Sequence, residues 1–142
     1  MTDMYLSVSL EAKHDFDTDA VTRRLGVEPT QIRKLGTPMQ PGHDALYKYS
    51  SWEWDTGHIS ADDAGSLIAQ VAAMFQSRAA AMRKLADECC GTWAIVLDGY
   101  IHSGDAPVVL LPPDFVEFCA AIGAIFQYVI DISYDYASEG GG

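Results

Sequence analysis

Basic residues are scarce in this chain. There are 9 Lys and Arg against 20 Asp and Glu, which gives a formal net charge of −11 at pH 7. A field of this sign repels phosphate backbones and anionic lipid head groups, so direct binding to nucleic acid or to a membrane surface is disfavoured. A basic protein partner is favoured instead, while the simpler interpretation is that the charge only keeps the protein soluble.

Long apolar runs are missing as well. No window approaches the roughly 18 uninterrupted apolar residues that indicate a membrane span. The opening segment MTDMYLSVSL lacks the basic stretch and the apolar stretch of a secretory signal. We therefore expect a cytoplasmic protein.

Cysteine is rare, with three residues at Cys89, Cys90 and Cys119. The number is odd and the adjacent pair is poorly placed to bridge to itself, so a disulfide framework is disfavoured. We expect reduced and mostly buried thiols.

Motifs for catalysis, metals and nucleotides are missing too. The histidines are scattered over predicted loops and turns, at His14, His43, His58 and His102. None has a second ligand at metal-binding spacing, and no glycine-rich phosphate loop follows a strand. We predict no metal, no cofactor and no catalytic residue. An acid/base pair of His58 with Asp55, or of His102 with Asp105, is the alternative, but such neighbours in turns are usually solvated.

The composition that remains is that of a globular domain. Hydrophobic residues make up 49% and charged residues 20% of the 142 residues, which suits one packed domain. We expect a single domain over residues 1–136 and a disordered glycine-rich tail over residues 137–142.

Hydrophobic periodicity predicts the elements. The first half reads as a strand Met4–Leu10, a short helix from Asp17 or Thr18 to Gly26, a loop Thr30–Ala45 with an extended piece at Ile32–Leu35, and a strand Leu46–Asp55. The second half reads as a helical region from a capping box at Ser60–Asp63 to Cys90 with a break at Gln76–Arg78, strands Thr92–Ile101 and Val108–Leu111 joined as a hairpin, a helix from Pro112 to Gly123, and a strand Phe126–Tyr136.

This order predicts an α+β fold, with a mainly antiparallel sheet and helices on one face. Both ends of the chain contain a strand, a short helix that ends in glycine, and a second strand. The order is therefore also compatible with a pseudo-duplicated, ferredoxin-like arrangement.

One predicted surface combines aromatic and acidic side chains. Its candidate partner-binding residues are Tyr47, Tyr49, Glu53 and Asp55 on one predicted strand, and Asp131 and Asp135 on the last. Tyrosine offers a large contact area and carboxylates accept bidentate contacts from arginine, so the surface suits a basic protein. The alternative is a solvated face whose carboxylates pair internally, and Asp131 between two isoleucines can equally be structural.

Several motifs are shared with a known family. They are the opening strand YLSVSL, the segment Val21–Thr30 (VTRRLGVEPT), Arg33-Lys34-Leu35-Gly36, Trp52, and the closing Asp131-Ile132-Ser133-Tyr134. With these motifs the chain resembles the uncharacterised bacterial family described as domain of unknown function 4279. The closing motif of that family is usually Asp-Ile-Tyr, so the register of the last strand stays open.

The resemblance implies an α+β fold and no established activity or catalytic residue. It also implies a small standalone bacterial protein of a kind often encoded beside secreted polymorphic toxins. By analogy this suggests an immunity role.

Three functional hypotheses follow. The first is an immunity-type protein that neutralises a cognate toxin domain through its acidic and aromatic face. The second is a small ligand-binding domain or enzyme with a pocket formed by Trp54, His58 and the loop Thr30–Ala45. The third is a structural or regulatory homodimer that forms through an exposed sheet edge.

Overall fold

The computed structural model describes residues 2–102 and 106–132. These residues form six strands: β1 (Thr2–Ala12), β2 (Gln31–Arg33), β3 (Ser50–Asp55), β4 (Ile59–Ala61), β5 (Thr92–Ile101) and β6 (Ile125–Ile132). They also form the helices α1 (Thr18–Leu25), α2 (Gly65–Phe75), α3 (Ala79–Cys89) and α4 (Pro113–Ala121), with a 3₁₀ turn at Gln76–Arg78 between α2 and α3.

The strands form one sheet in the order β2-β3-β1-β5-β6, and β4 pairs with the beginning of β1. All pairings are antiparallel except that of β5 with β6. The helix α4 connects these two strands, as a parallel crossover requires. The prediction of an α+β fold with a mainly antiparallel sheet is confirmed.

A single hydrophobic core joins all four helices to one face of the sheet. Alternate residues of β1, including Leu6, Val8 and Leu10, are fully buried in it. Trp52 packs edge-on against Trp93, with ring centroids 6.0 Å apart. The indole N–H of Trp52 donates to Thr22 Oγ1 at 3.0 Å, and that of Trp93 donates to the Met82 carbonyl at 2.7 Å. Both large side chains are therefore buried with their polar atoms satisfied.

The ends of α1 are those predicted. Asp17 Oδ1 accepts a hydrogen bond from the Ala20 backbone N–H at 3.1 Å, and Gly26 ends the helix in the left-handed conformation with φ of 67°. The predicted interruption of the long helical region at Gln76–Arg78 is also confirmed. Arg78 fixes this bend, because its guanidinium donates to the carbonyls of Leu25 and Met74.

The predicted capping box at Ser60–Asp63 is wrong. Ile59–Ala61 instead forms β4 on the edge of β1, and α2 begins later, at Gly65, without a side-chain cap. Asp63 accepts from the Gly65 backbone N–H at 2.8 Å in a local turn. Backbone pairing with β1 thus overrides the local helix-start signal.

Two predicted strands differ from the observed ones. β3 begins at Ser50 and not at Leu46, because Tyr47 exchanges backbone hydrogen bonds with the preceding loop at Gly36 and Thr37. Val108 forms only an isolated bridge with Asp63, so the predicted hairpin of Val108–Leu111 with β5 is wrong. The predicted turn at residues 103–105 lies outside the described residues.

The pseudo-duplicated, ferredoxin-like arrangement is not confirmed. β5 and β6 are neighbours in the sheet, whereas β1 and β2 are separated by β3. Residues 133–136 of the predicted last strand and the tail 137–142 lie outside the described residues. Within the described ranges, no helix is both long and apolar enough to cross a membrane.

Candidate functional site

The face of the sheet opposite the core carries the candidate site. Side chains alternate between the two faces of a strand, so the register decides which residues share a face. We define the open face by its residues: Tyr5, Ser7, Ser9 and Glu11 of β1; Gln31 and Arg33 of β2; Ser51, Glu53 and Asp55 of β3; Ala94, Val96, Asp98 and Tyr100 of β5; and Gln127, Val129 and Asp131 of β6.

A cavity of about 330 Å³ opens on this face. It is lined by Tyr5, Ser7, Ser9, Glu11, Gln31, Arg33, Glu53, Asp55, His58, Val96 and Asp98. Four carboxylates and one guanidinium thus line what we call the acidic cavity. Its volume falls near the lower end of the roughly 300–1,000 Å³ that ligand sites occupy.

β1 supplies the floor of the acidic cavity, and its two neighbours supply the walls. Ser9 is paired with Glu53 on β3, and Ser7 with Asp55. Tyr5 is paired with Asp98 on β5. Because paired residues of adjacent strands point to the same face, small side chains in the middle leave a depression between larger ones.

The loop between β3 and β4 places His58 over Tyr5. Asp55 Oδ1 accepts from the Gly57 backbone N–H at 2.8 Å, and Gly57 has φ of 75°, a conformation that favours glycine. Thr56 keeps the loop on β1, because its backbone N–H donates to the Leu6 carbonyl at 3.0 Å. The rings of His58 and Tyr5 then lie 4.6 Å apart.

The pKa of Tyr5 is higher than that of an ordinary tyrosine. Its burial, the negative charge of Asp98 and the hydrogen bond between the two side chains raise the pKa of Tyr5 from 10 to about 12, with smaller contributions from Glu53 and Asp55. The phenol therefore stays protonated at neutral pH and donates to the Asp98 carboxylate.

Arg33 lies at the β2 side of the acidic cavity. Its guanidinium forms an ion pair with Glu53 at 3.3 Å and donates to the Gln31 side chain at 2.8 Å. Burial opposes the charge of Arg33, but the Glu53 carboxylate and the nearby Tyr49 leave its pKa above the usual value. Arg33 thus compensates one of the four carboxylates.

The six predicted partner-binding residues are distributed unevenly. Glu53 and Asp55 line the acidic cavity. Tyr47 and Tyr49 precede β3 and pack edge-on, with ring centroids 5.9 Å apart. Asp131 lies on the open face of β6, opposite Tyr100 in register, and is exposed. Asp135 lies outside the described residues.

The pocket expected between Trp54 and His58 is not the one observed. His58 lines the acidic cavity together with Gln31 and Arg33 from the predicted loop Thr30–Ala45. Trp54 points to the core, is 8% exposed and packs on Phe75 at 5.2 Å. The alternation of β3 places its tryptophans and its carboxylates on opposite faces.

Sequence reasoning missed Tyr5, Ser9 and Asp98 as site residues, whereas Arg33 belongs to the loop Thr30–Ala45 that it assigned to a pocket. The available signal was the period-2 alternation of β1 and β5, which separates Tyr5, Ser7 and Ser9 from the apolar positions. It could not show that Asp98 and Asp55 flank them.

A second group of titratable side chains lines another cavity, of about 390 Å³, and includes His14, Asp15, Asp17, Arg24 and Glu88. His102 pairs with Asp3 at 2.8 Å, while Asp105, its predicted neighbour, lies outside the described residues. In the described chain no three His, Cys, Asp or Glu side chains are grouped to hold a metal. Cys89 and Cys119 are half-buried, and burial raises the pKa of both thiols. Cys90 is exposed, so the expectation of mostly buried cysteines is wrong for this residue.

The fold and this site define a small α+β protein with a helix-covered face and an open, acidic sheet face. The family described as Domain of unknown function (DUF4279) matches residues 2–133, and the chain belongs to it. No curated protein matches the chain. No solved structure matches it either.

Proposed function

We propose that this chain is a binding protein whose open face recognises a basic protein. The observation that carries the proposal is the acidic cavity, in which four carboxylates face one guanidinium. The net charge of −11 extends the same sign over the whole molecule. A basic partner is attracted by such a field before contact, so association is fast at low ionic strength and slows as salt is added.

We further propose that the partner is a toxin domain and that the chain acts as its cytoplasmic immunity protein. Toxins directed at nucleic acids need basic grooves to hold phosphates. An acidic face that occupies such a groove competes directly with the substrate. The flanking pair Tyr47 and Tyr49 adds aromatic contact area of the kind that contributes strongly at interfaces.

Charge reversal at the rim of the open face tests the binding. Glu11 and Asp131 are exposed on β1 and β6, and the test variant replaces both with Lys. The matched control, Asp19→Lys with Glu117→Lys, makes the same change in net charge at exposed positions of α1 and α4, on the helix layer.

Each protein is used as bait in a lysate of the bacterium that encodes the chain, at low and at moderate salt. We expect the unchanged protein and the control to retain one basic protein, with less retained as salt rises. We expect the Glu11/Asp131 variant to lose it. Equal capture by both variants, or capture that is insensitive to salt, contradicts the proposal.

The immunity role needs its own measurement. The captured protein is expressed in a host with the unchanged chain, with the Glu11/Asp131 variant or with the control. Growth restored by the unchanged chain and the control, but not by the variant, is expected. A captured protein that is harmless when expressed alone contradicts the immunity role and leaves the binding proposal standing.

A second candidate is a small-ligand-binding domain, and the volume of the acidic cavity, about 330 Å³, favours it. Native mass spectrometry of the protein purified from its own bacterium distinguishes the two. A stoichiometric small molecule would support this candidate, whereas the mass of the bare chain together with capture of a basic protein supports the first.

A further inference from the structure

The strand β6 (Ile125–Ile132) has a long open edge. It is the last strand in the sheet order and pairs with β5 on one side. Among the described residues no strand pairs with its other side. The strand at the opposite end of the sheet, β2, is only three residues long. An unpaired edge presents a row of backbone N–H and C=O groups that can bind another extended chain.

β6 has none of the features that protect an edge strand from pairing. Proteins usually protect such strands by short length, lysine, proline or a β-bulge. The eight residues of β6 (IFQYVIDI) include no basic residue and no proline, and Asp131 carries their single charge. The register with β5 runs from Ile125 to Ile132 without a bulge. This edge is therefore suited to receive a further strand.

Apolar side chains along β6 are exposed to solvent. None of its eight residues is buried. Ile125 is 59%, Ile130 39% and Ile132 57% exposed. Ile130 and Ile132 belong to the face that carries the helices, so the helix layer leaves this end of the strand uncovered. A strand placed alongside β6 would remove part of this apolar surface from water.

The sequence of β6 is complementary to itself in one antiparallel register. With a twofold axis at Val129, the pairs across the edge are Phe126 with Ile132, Gln127 with Asp131, and Tyr128 with Ile130. Each pair joins residues of the same face, as antiparallel pairing requires. Aromatic residues opposite β-branched ones are favourable, and the amide of Gln127 can donate to the Asp131 carboxylate.

Charge favours a second copy over a basic strand at this edge. A basic strand would meet one carboxylate among eight residues. Two copies of the chain repel each other through their net charge of −11, but this register keeps the two Asp131 side chains apart. They lie four residues apart along the strands, roughly 14 Å. This distance exceeds the Debye length of ~8 Å at physiological salt.

We propose that two copies of this chain associate through β6, in antiparallel register with Val129 at the twofold axis. The two sheets then join into one, and both acidic cavities open on the same side. Symmetric pairing occupies both edges, so association stops at two copies. This inference goes beyond the proposed function, which concerns the open face, and it assigns the homodimer hypothesis to one edge.

The test is sedimentation velocity of the whole chain at low and at moderate salt. Concentrations from about 5 to 500 µM cover the affinities expected of a small interface. The variants are Val129→Lys, Gln127→Lys and the control Val116→Lys, at a position of α4 that is 49% exposed. All three add one positive charge, so the general repulsion between copies changes equally.

We expect a monomer–dimer equilibrium that salt strengthens, because salt screens the repulsion between two acidic chains. Val129→Lys should weaken the dimer at least about tenfold, since two lysines then face each other at the axis. Gln127→Lys should strengthen it about threefold, because each new lysine lies opposite Asp131 of the other copy. Val116→Lys should leave the affinity unchanged.

Three results overturn the proposal. A monomer at every concentration excludes the dimer, equal effects of Val129→Lys and Val116→Lys exclude this edge, and weakening by Gln127→Lys excludes the register. Amide hydrogen exchange of the unchanged chain avoids dependence on variants that fold poorly. We expect exchange in β6 to slow as concentration rises, and exchange that is independent of concentration contradicts the dimer.

The dimer and the proposed function fail separately. A monomer that still captures a basic protein removes the dimer alone. A dimer that captures no basic protein removes the proposed function alone. Salt also separates the two, because it strengthens the dimer and weakens the binding of a basic partner.

Discussion

The rings of Tyr5 and His58 lie 4.6 Å apart, although 53 residues separate them in the chain. β1 supplies the tyrosine and the loop after β3 supplies the histidine. The contact forms one wall of the acidic cavity, and the Asp98 carboxylate raises the pKa of the phenol.

The acidity of Tyr5 makes the stability of the protein sensitive to alkaline pH. An unfolded tyrosine loses its proton near pH 10, while the pKa of Tyr5 is raised to about 12 in the folded state. Between about pH 10 and 12 the unfolded state therefore holds fewer protons, and the contribution of Tyr5 to stability falls as pH rises.

Tyrosinate absorbance and urea unfolding at several pH values measure this. Burial also raises the pKa of Tyr128, so Tyr5→Phe should remove one tyrosine transition above pH 10 and reduce the fall in unfolding free energy. The control Tyr100→Phe, on an exposed position of β5, should keep both features. Identical curves for Tyr5→Phe and the unchanged protein would contradict the assignment.

The hydrogen bond from Trp52 to Thr22 joins β3 to α1 across the core. Thr22→Val keeps the shape of the side chain but leaves the buried indole N–H unpaired, which should lower the free energy of unfolding by about 1–3 kcal/mol. Thr22→Ser keeps the acceptor and should cost less. Chemical denaturation compares the three proteins, and an equal loss in both variants would show that packing, and not the hydrogen bond, matters here.

Gly91 marks a tight approach between α3 and β1. A Cβ at this position would lie 2.8 Å from the Glu11 carbonyl oxygen and 2.8 Å from Cys89 Sγ. Gly91→Ala should therefore destabilise the protein by about 1–3 kcal/mol, because a backbone atom cannot move aside cheaply.

Gly99→Ala is the matched control for Gly91. Its nearest atom would be Tyr128 Cε2 at 3.5 Å, an ordinary contact. Thermal unfolding should leave this variant within about 0.5 kcal/mol of the unchanged protein. A similar loss at both positions would rule out the close approach as the cause.

The hydroxyl of Tyr128 is buried and has no hydrogen-bond partner within residues 2–102 and 106–132. Tyr128→Phe removes a polar atom that gains nothing from burial, so the free energy of unfolding should stay the same or rise by about 1 kcal/mol. Urea unfolding measures it. A loss of stability would show that the hydroxyl has a partner.

Sequence periodicity predicted the layers of the fold well. Leu6, Val8 and Leu10 alternate with polar residues in β1, and such a pattern needs no knowledge of the rest of the chain. The bend at Gln76–Arg78 could also be predicted from the sequence, because polar residues interrupt an apolar stripe there.

Features that depend on neighbouring strands were harder to predict from the sequence. Ser60–Asp63 carries a local helix-start signal, but β1 offers a free edge to Ile59–Ala61 and the chain pairs with it. Tyr47 likewise pairs with a distant part of the chain, because its backbone forms hydrogen bonds with Gly36 and Thr37.

The candidate site was predicted in part. Glu53 and Asp55 were identified from their alternation with the tryptophans. Ser9 and Asp98 were not, because their place on one cavity follows from the pairing of β1 with β5, in which Ser9 lies opposite Ala94 and Tyr5 opposite Asp98, and such a register is a tertiary property. The position of His58 was not predictable either, because it depends on the backbone turn at Gly57.

The core and the open face use alternate residues of the same strands. Insertions and substitutions in these strands therefore have different effects. Insertion of one residue into β1 would exchange Ser9 and Leu10 between the faces and ruin both, so the length of this strand is fixed. Substitution at Tyr5, Ser9 or Glu11 leaves the packed layer untouched. The architecture therefore lets the side chains of the open face change by point substitution while the packed layer keeps its residues.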